Sequence, residues 1–314
     1  MPLVSIIIPV FNAECHIKEC LDAVMRQTLR DVEVILIDDA SVDESVKILE
    51  SLQHMRENVR IVCHQDNIGA AGSRNEGLMM AKGDYVAFCD SDDIVDADMY
   101  ELLYRAALKN DADIVMCGIA RSEGGGRVFM PPQAANCGAE VLCACAPSIV
   151  FNSPCNKLYR RAFLERNNLS FDPKLKTTED LLFNVKAFLA TSSVYMMDFA
   201  PYHYRMNKSS VTHNRDVASA WSVVSSAYQA GRLLSDAKYF PVRDRLYRDA
   251  ILAAVKHNLL SAEKLAEIKC MVVGDIRDDV RHGFAKKLIL SMPAWAQKFI
   301  ATLFARIEEL KGVL

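Results

Sequence analysis

Asp90, Asp92 and Asp93 set three carboxylates within four positions, directly after the apolar run Tyr85 to Cys89. Like charges this close raise one another's pKa and repel, so such a cluster at the exit of a buried strand calls for a cation. Carboxylate oxygens suit a hard divalent ion. Other acid pairs recur along the chain. Asp38-Asp39 closes the apolar run that begins at Val32, and Glu179-Asp180 precedes the apolar face Leu181, Leu182, Val185 and Phe188. Carboxylates in such places can hold a metal, read a base edge as pure acceptors, or take up a proton.

Stepping along the chain, Val4 to Val10 reads as a buried strand, and Ile17, Cys20, Leu21, Val24 and Met25 recur at helical spacing. Val32 to Ile37, Val59 to Cys63 and Tyr85 to Cys89 are expected strands, with a helix over Ala70 to Ala81. Ser41 to Glu44 has capping-box spacing, which predicts a helix starting directly after the acids of the second strand. Strand and helix alternate without hairpin signals, so the fold class is α/β, with a mostly parallel sheet and helices on both faces. In such sheets ligands bind beyond the carboxyl ends of the strands, where Asp38, Asp39, Asp90 and Asp92 all fall.

Beyond Ile114 to Cys117, Gly124 to Gly126 and Pro131-Pro132 mark loops, so residues 118 to 155 are expected to be irregular or to carry short strands. A helix through Phe188 and a strand near Val194 to Phe199 follow, and from Asp216 the pattern is helical, predicting a C-terminal helical appendage. The expected division is 1–117, 118–214 and 215–314.

The chain has 314 residues, a net charge of -3 and no basic domain, which excludes a dedicated nucleic-acid binder. Its ten cysteines are scattered, several inside apolar runs, and form no C-x-x-C pair. They read as reduced residues of a cytoplasmic protein. The N-terminal apolar run has no basic leader and ends at a charged helix, so neither a signal peptide nor a membrane span is expected there.

Val4 to Asn12, Ile37 to Asp43, Asn67 to Asn75, Asp90-Ser91-Asp92 and Thr178-Glu179-Asp180 together resemble the successive landmarks of the family 2 glycosyltransferases. The resemblance is strong to about residue 118, good to about 214 and absent beyond. It implies a GT-A, Rossmann-like fold and inverting transfer from a nucleotide-diphosphosugar, most simply a UDP-sugar, to a hydroxyl of a glycan or lipid-linked acceptor in cell-surface polysaccharide synthesis. Asp90-Ser91-Asp92 matches the family's D-x-D element, which holds Mn2+ or Mg2+ against the diphosphate. Asp39 would accept the imide N–H of uracil, with Pro9 and Phe11 lining the base pocket. The competing reading of Asp38-Asp39 is an acidic helix start.

Asp180 is the implied general base, with Glu179 as the fallback. Against this, an acid at a helix start has its pKa lowered by the dipole. Arg74 would meet the phosphates, or else form a structural salt bridge. Lys157 would face diphosphate or acceptor, or be a surface lysine. His203 would be a third metal contact and Arg205 a phosphate contact, unless both belong to a Tyr-rich strand edge. Asp93 is left out of the site as a loop-shaping residue. The Gln-x-x-Arg-Trp element of processive synthases is missing, which predicts transfer of one or few sugars per encounter.

Two other readings stand beside this one. A non-catalytic nucleotide-sugar-binding protein would keep Asp39 and Asp90 and dispense with Asp180. A haloacid-dehalogenase-like phosphohydrolase would need its acidic motif on the first strand and Thr where Ile94 stands. Finally, Arg281 to Arg306 holds five Lys or Arg residues and no acid, interleaved with Leu, Ile, Trp and Phe. It is either a peripheral contact with the inner face of the membrane or a helix packed on protein.

Overall fold

The computed structural model describes residues 1–53, 57–121, 127–133, 137–206 and 217–256. The chain divides into two compact units, Met1–Asn214 and Arg215–Leu314. The basic segment 281–306 lies outside the described residues. No helix among the described residues is long and apolar enough to cross a membrane.

The first unit opens with β1 (Val4–Val10), α1 (Ile17–Met25), β2 (Val32–Asp38), α2 (Ser45–Gln53), β3 (Val59–Cys63), α3 (Gly69–Met80) and β4 (Tyr85–Phe88). β1 pairs in parallel with both β2 and β4, and β2 with β3. Every residue of β2 is buried, as its Val-Ile-Leu run requires of a strand covered on both faces. The pairing Val10↔Asp38 brings the two strand exits to the same height, so Phe11 and Asp39 emerge side by side. Because Ile7 pairs with Phe88, Asp90 follows two residues later beside the end of β1.

The chain continues through β5 (Ile94–Val95), α4 (Met99–Lys109), β6 (Ile114–Met116), β7 (Ile119–Arg121), β8 (Val128–Phe129), α5 (Gly138–Cys145), α6 (Ile149–Asn152), β9 (Lys157–Arg160), α7 (Arg161–Arg166), α8 (Glu179–Ala190), β10 (Val194–Met196) and β11 (Tyr202–Tyr204). The main sheet has the order β10-β6-β9-β4-β1-β2-β3, and β9 runs antiparallel to both its neighbours. A second, four-stranded sheet has the order β5-β11-β7-β8. The sheet is mostly parallel as expected; the one reversed strand and the helices α5 and α6 are not anticipated by the loop signals in 118–155.

The capping-box expectation is corrected. α2 starts at Ser45, and Asp43 Oδ1, not Ser41, accepts its backbone N–H at 3.0 Å. Ser41 Oγ instead accepts Asn12 N–H at 2.9 Å, and Asn12 Oδ1 accepts Val42 N–H at 2.9 Å. The hydroxyl spaced for a cap serves a different purpose: it stitches the β2–α2 loop to the β1–α1 loop, fixing the rim on which Phe11 stands.

An aromatic cluster ties the two halves of this unit together. Phe171 and Phe183 stack with centroids 4.1 Å apart, and Phe88 meets Phe171 edge-on at 5.3 Å. Phe88 ends β4 just before the acidic run, while Phe183 lies in the first turn of α8, three residues after Asp180. Edge-on and offset pairs add about 0.5–1.5 kcal/mol each beyond their buried area. This packing holds the start of α8 against the end of β4.

In the second unit, α9 (Val217–Leu233) and α10 (Phe240–Lys256), with a 3-10 turn between them at Ala237–Tyr239, pack through Ala220, Val224 and Ala227 and through Val242, Leu246 and Ala250, all buried. The expected helical character holds for these residues.

The approach of α3 to β1 is set by Gly77, where an added Cβ would stand 2.3 Å from Ile7 Cγ2. Ile7 is fully buried. Gly77→Ala is therefore expected to cost about 1–3 kcal/mol through overpacking, in spite of alanine's better helix propensity. Urea unfolding monitored by circular dichroism checks it, with a lowered midpoint at unchanged slope.

Candidate active site

The carboxyl edge of β1, β2 and β4 gathers the acids. Asp90 Oδ1 accepts from Arg74 Nη2 at 2.8 Å, and the same guanidinium donates through Nη1 to Glu179 Oε1 at 2.7 Å. Arg74 is buried between these partners and lies over the Phe171 ring at 5.4 Å. Burial opposes its charge, but Asp90 and Glu179 outweigh that and hold the guanidinium firmly protonated. The structure places Arg74 in the salt bridge, with carboxylates at both ends of the fork. Its effect is to join the metal motif to the start of α8.

Asp92 stands partly open beside this pair. Burial and then the charge of Asp90 raise its pKa, opposed by His16 and Arg205. Arg205 donates to His16 Nδ1 at 2.9 Å and to Glu19 Oε2 at 2.5 Å, which places a cation on the α1 side of Asp92. Asp93 is buried, accepts the Tyr202 hydroxyl and the Arg205 N–H (2.7 Å), and has its pKa pushed up by burial and by Asp90 and Asp92. It shapes the loop by anchoring β11.

His203 is a correction. Adjacent strand residues point to opposite faces, and with Tyr202 turned toward Asp93, His203 turns away to pair with Asp96 at 2.7 Å. Among the described residues no group of three or more His, Cys, Asp or Glu is gathered for a metal. Lys157 is a second correction. Fully buried, it donates to the carbonyls of Val150, Phe151 and Ser153 and to Asn156 Oδ1, at 2.5 to 3.0 Å. Burial pushes its pKa down to about 7. It pins the turn after α6 and faces neither diphosphate nor acceptor.

Asp180 opens α8 after Thr178, whose positive φ of 64° turns the chain into the helix. Its Oδ1 accepts the Leu181 N–H at 2.7 Å. Burial, then the charge of Glu179, push the Asp180 carboxyl up to about 7, against the pull of Arg74. The expected dipole effect is outweighed, because two carboxylates side by side share one guanidinium that Glu179 has already taken. Glu179 is engaged by Arg74.

At the other end, the Asp39 carboxylate accepts the N–H groups of Ile68 (2.9 Å) and Gly69 (2.8 Å), fixing the start of α3. It also meets His64 Nδ1 at 2.9 Å, while His64 Nε2 meets Glu76 at 2.5 Å. Burial opposes charge on His64, but the hydrogen bonds and charges of Asp39 and Glu76 raise its pKa. His64 was missed by sequence reasoning; its signal was its position, one residue past β3 as Asp39 is one past β2. Phe11 is 51% exposed beside Asp39, a large ring left in water at the strand exit. Pro9 lies within β1, and Ser91 lies between Asp90 and Asp92 in a half-buried turn. Asp38 is buried with Oδ1 unpartnered.

Sheet order and acidic edge define the class: an α/β fold of the GT-A glycosyltransferase type. Residues 5–167, just over half the chain, match the model of glycosyl transferase family 2, and the chain belongs to that family. It is 38% identical over 219 residues to the uncharacterized glycosyltransferase EpsJ of Bacillus subtilis, covering 68% of this chain and 63% of that one. It is 26% identical over 252 residues to the poly(ribitol-phosphate) beta-N-acetylglucosaminyltransferase TarS of Staphylococcus aureus, covering 79% of this chain and 43% of TarS. The chain thus spans less than two thirds of the length of these relatives.

Among solved structures, TarS residues 1–349 in complex with UDP-GlcNAc superpose with a TM-score of 0.61 at 21% identity, covering 88% of this chain and 89% of that one. The mannosyltransferase PcManGT of Pyrobaculum calidifontis in complex with GDP-Man and Mn2+ superposes at 0.57 and 16%, covering 97% and 80%. The haloacid-dehalogenase-like alternative is set aside by the family match.

The Asp180 carboxyl binds its proton more tightly in the folded chain than in the unfolded one. Stability therefore falls as pH rises from about 4 to about 7 and stays reduced above. Asp180→Asn removes that charge, so its Tm is expected to match the wild type near pH 4 and to exceed it by a few degrees at pH 8. Thermal unfolding across this range measures it, and a gain at low pH alone would contradict the sign.

Proposed function

We propose that the protein is an inverting glycosyltransferase that moves a sugar from a UDP-sugar to a hydroxyl of a glycan or lipid-linked acceptor in cell-surface polysaccharide synthesis. The observation that carries this is the place of Asp180: it follows Glu179, which Arg74 joins to Asp90, and burial raises its carboxyl to about 7. A general base works best with a pKa near the working pH. On this reading Asp180 takes the proton of the acceptor hydroxyl as that oxygen attacks the anomeric carbon opposite the departing diphosphate, which inverts the centre.

Asp90 and Asp92 offer oxygen donors that repel each other, a set that fits Mn2+ or Mg2+. Two carboxylates suffice, since such ions are commonly held by one or two carboxylates together with substrate phosphates. When bound, the ion neutralises charge on the leaving diphosphate. Arg205 adds a fixed positive charge on the α1 side of Asp92.

Uracil as the base rests on Asp39 and Phe11. A carboxylate has about four acceptor positions, and Asp39 has spent three within the chain. One remaining position suits the single imide N–H of uracil better than the paired donors of guanine. Phe11 supplies a face for stacking.

Asp180→Asn is expected to lower transfer by about 10²–10⁴-fold, the usual range for a general base, while UDP affinity holds. The wild-type rate should climb with pH to a plateau at or above about 7, and the variant should lose that limb. Unchanged transfer would falsify the base assignment. Removing divalent ions with EDTA should abolish transfer and weaken UDP binding by calorimetry, and Mn2+ should restore both.

A further inference from the structure

The small sheet carries a cluster that the transfer chemistry leaves unused. β11 pairs with β7 as Tyr202↔Ile119 and Tyr204↔Arg121, and β7 pairs with β8 as Ile119↔Phe129. Since side chains alternate along a strand, Tyr202, Tyr204, Ile119, Arg121 and Phe129 share one face. Tyr202 and Ile119 are buried at the inner end of that face, whereas Tyr204, Arg121 and Phe129 are part-exposed where it meets solvent. The Arg121 guanidinium lies over the rings of Phe129 (5.4 Å) and Tyr204 (5.9 Å).

Arg127 continues the pattern. Arg121 N–H donates to the Arg127 carbonyl at 2.9 Å, which extends the β7–β8 register by one step and puts the exposed Arg127 opposite Arg121. Two arginines thus face each other across the register, where like charges are unfavourable. Arg121 Nε is buried with no hydrogen bond. A buried donor without a partner is rare and asks for one.

The cluster borders the reaction centre. The Tyr202 hydroxyl bonds Asp93 and accepts the Asp90 N–H at 3.4 Å, and Arg205 N–H bonds Asp93 from the other side of Tyr204. Tyr204 therefore lies along the loop that carries the metal motif, roughly 7 Å along the strand from Tyr202.

We propose that Arg121, Arg127, Phe129 and Tyr204 bind the acceptor, and that the acceptor is a phosphodiester-linked glycan or polyol. The inference deepens the transferase reading and rests on it. Guanidinium forks match the oxygens of a phosphate, and aromatic faces pack on the C–H faces of sugars and polyols. The part-exposed end of this face offers rings and guanidiniums and no aliphatic side chain, which favours a sugar or polyol phosphate over a lipid tail.

The test uses the full chain and the variants Arg121→Gln, Arg127→Gln and the pair together, each checked for an unchanged Tm. Transfer from UDP-sugar is measured to a short polyol-phosphate oligomer, to a dephosphorylated counterpart of equal length whose units are joined by neutral linkages, and to a lipid-diphosphate-linked sugar. The double variant should raise the KM for the phosphate oligomer at least tenfold while leaving kcat, donor KM and acceptor-free hydrolysis of the UDP-sugar unchanged. Rising salt should raise the wild-type KM and leave the variant's nearly flat, because exposed charges are screened. The inference is overturned by an unchanged KM in the double variant, by equal use of the dephosphorylated oligomer, or by use of the lipid diphosphate alone. Binding of the oligomer is also titrated without donor, and no difference between wild type and double variant there overturns it as well. Loss of UDP-sugar binding and hydrolysis in the wild type would instead bring down the transferase reading itself.

Discussion

The Arg74 fork is the interaction on which the rest of the site depends. It takes a guanidinium fully out of water, which costs several kcal/mol per ion before any partner is counted. The cost is offset only because two carboxylates from distant parts of the chain, Asp90 and Glu179, close on its two ends. That requirement is also what it accomplishes. α3, the exit of β4 and the start of α8 cannot move independently without leaving a charge unpaired, and the stacked Phe171 and Phe183 make the apolar wall that keeps the fork dry.

Burial first, and then the balance of charge around the fork, raise the pKa of the acids beside it. Asp90, Asp92, Asp93, Glu179 and Asp180 face Arg74 and Arg205. Arg74 is committed to Asp90 and Glu179, and Arg205 spends itself partly on Glu19. The acids left over, Asp92, Asp93 and Asp180, are the ones whose pKa rises. Asp93 is relieved by hydrogen bonds from Tyr202 and Arg205, Asp92 stays open toward solvent, and Asp180 holds a proton near neutrality. Burial and a shared deficit of positive charge thus yield three different carboxylates, separated by what each can reach.

Much of this was legible in the sequence because strand exits are. Asp39 and Asp90 were found by their places after apolar runs, and Asp180 by its place before one together with the family resemblance; the parallel register does put the first two on one edge. The cations were harder. A lone Arg, Lys or His carries no mark of direction, and its role depends on what folding brings across the gap. Arg74 needed Glu179, 105 residues away. Lys157 needed the carbonyls of a turn whose helix, α6, has too few residues to show a period. His203 could have been placed from the sequence alone: in the strand Tyr202 to Tyr204, whatever side Tyr202 takes, His203 takes the other.

The second sheet inherits its geometry from the acidic run. β5, β7 and β8 are two or three residues long, too short to hold a sheet by themselves. Their fixed point is β11, and β11 is fixed by the Tyr202 hydroxyl and the Arg205 N–H on the buried Asp93. Asp93 is thus the hinge between the two sheets: it belongs in sequence to the acidic run and in structure to the surface on which an acceptor would lie. With one donor on each oxygen, the Asp93 carboxylate ties β11 to the loop after β4, and through β11 the second sheet to the first.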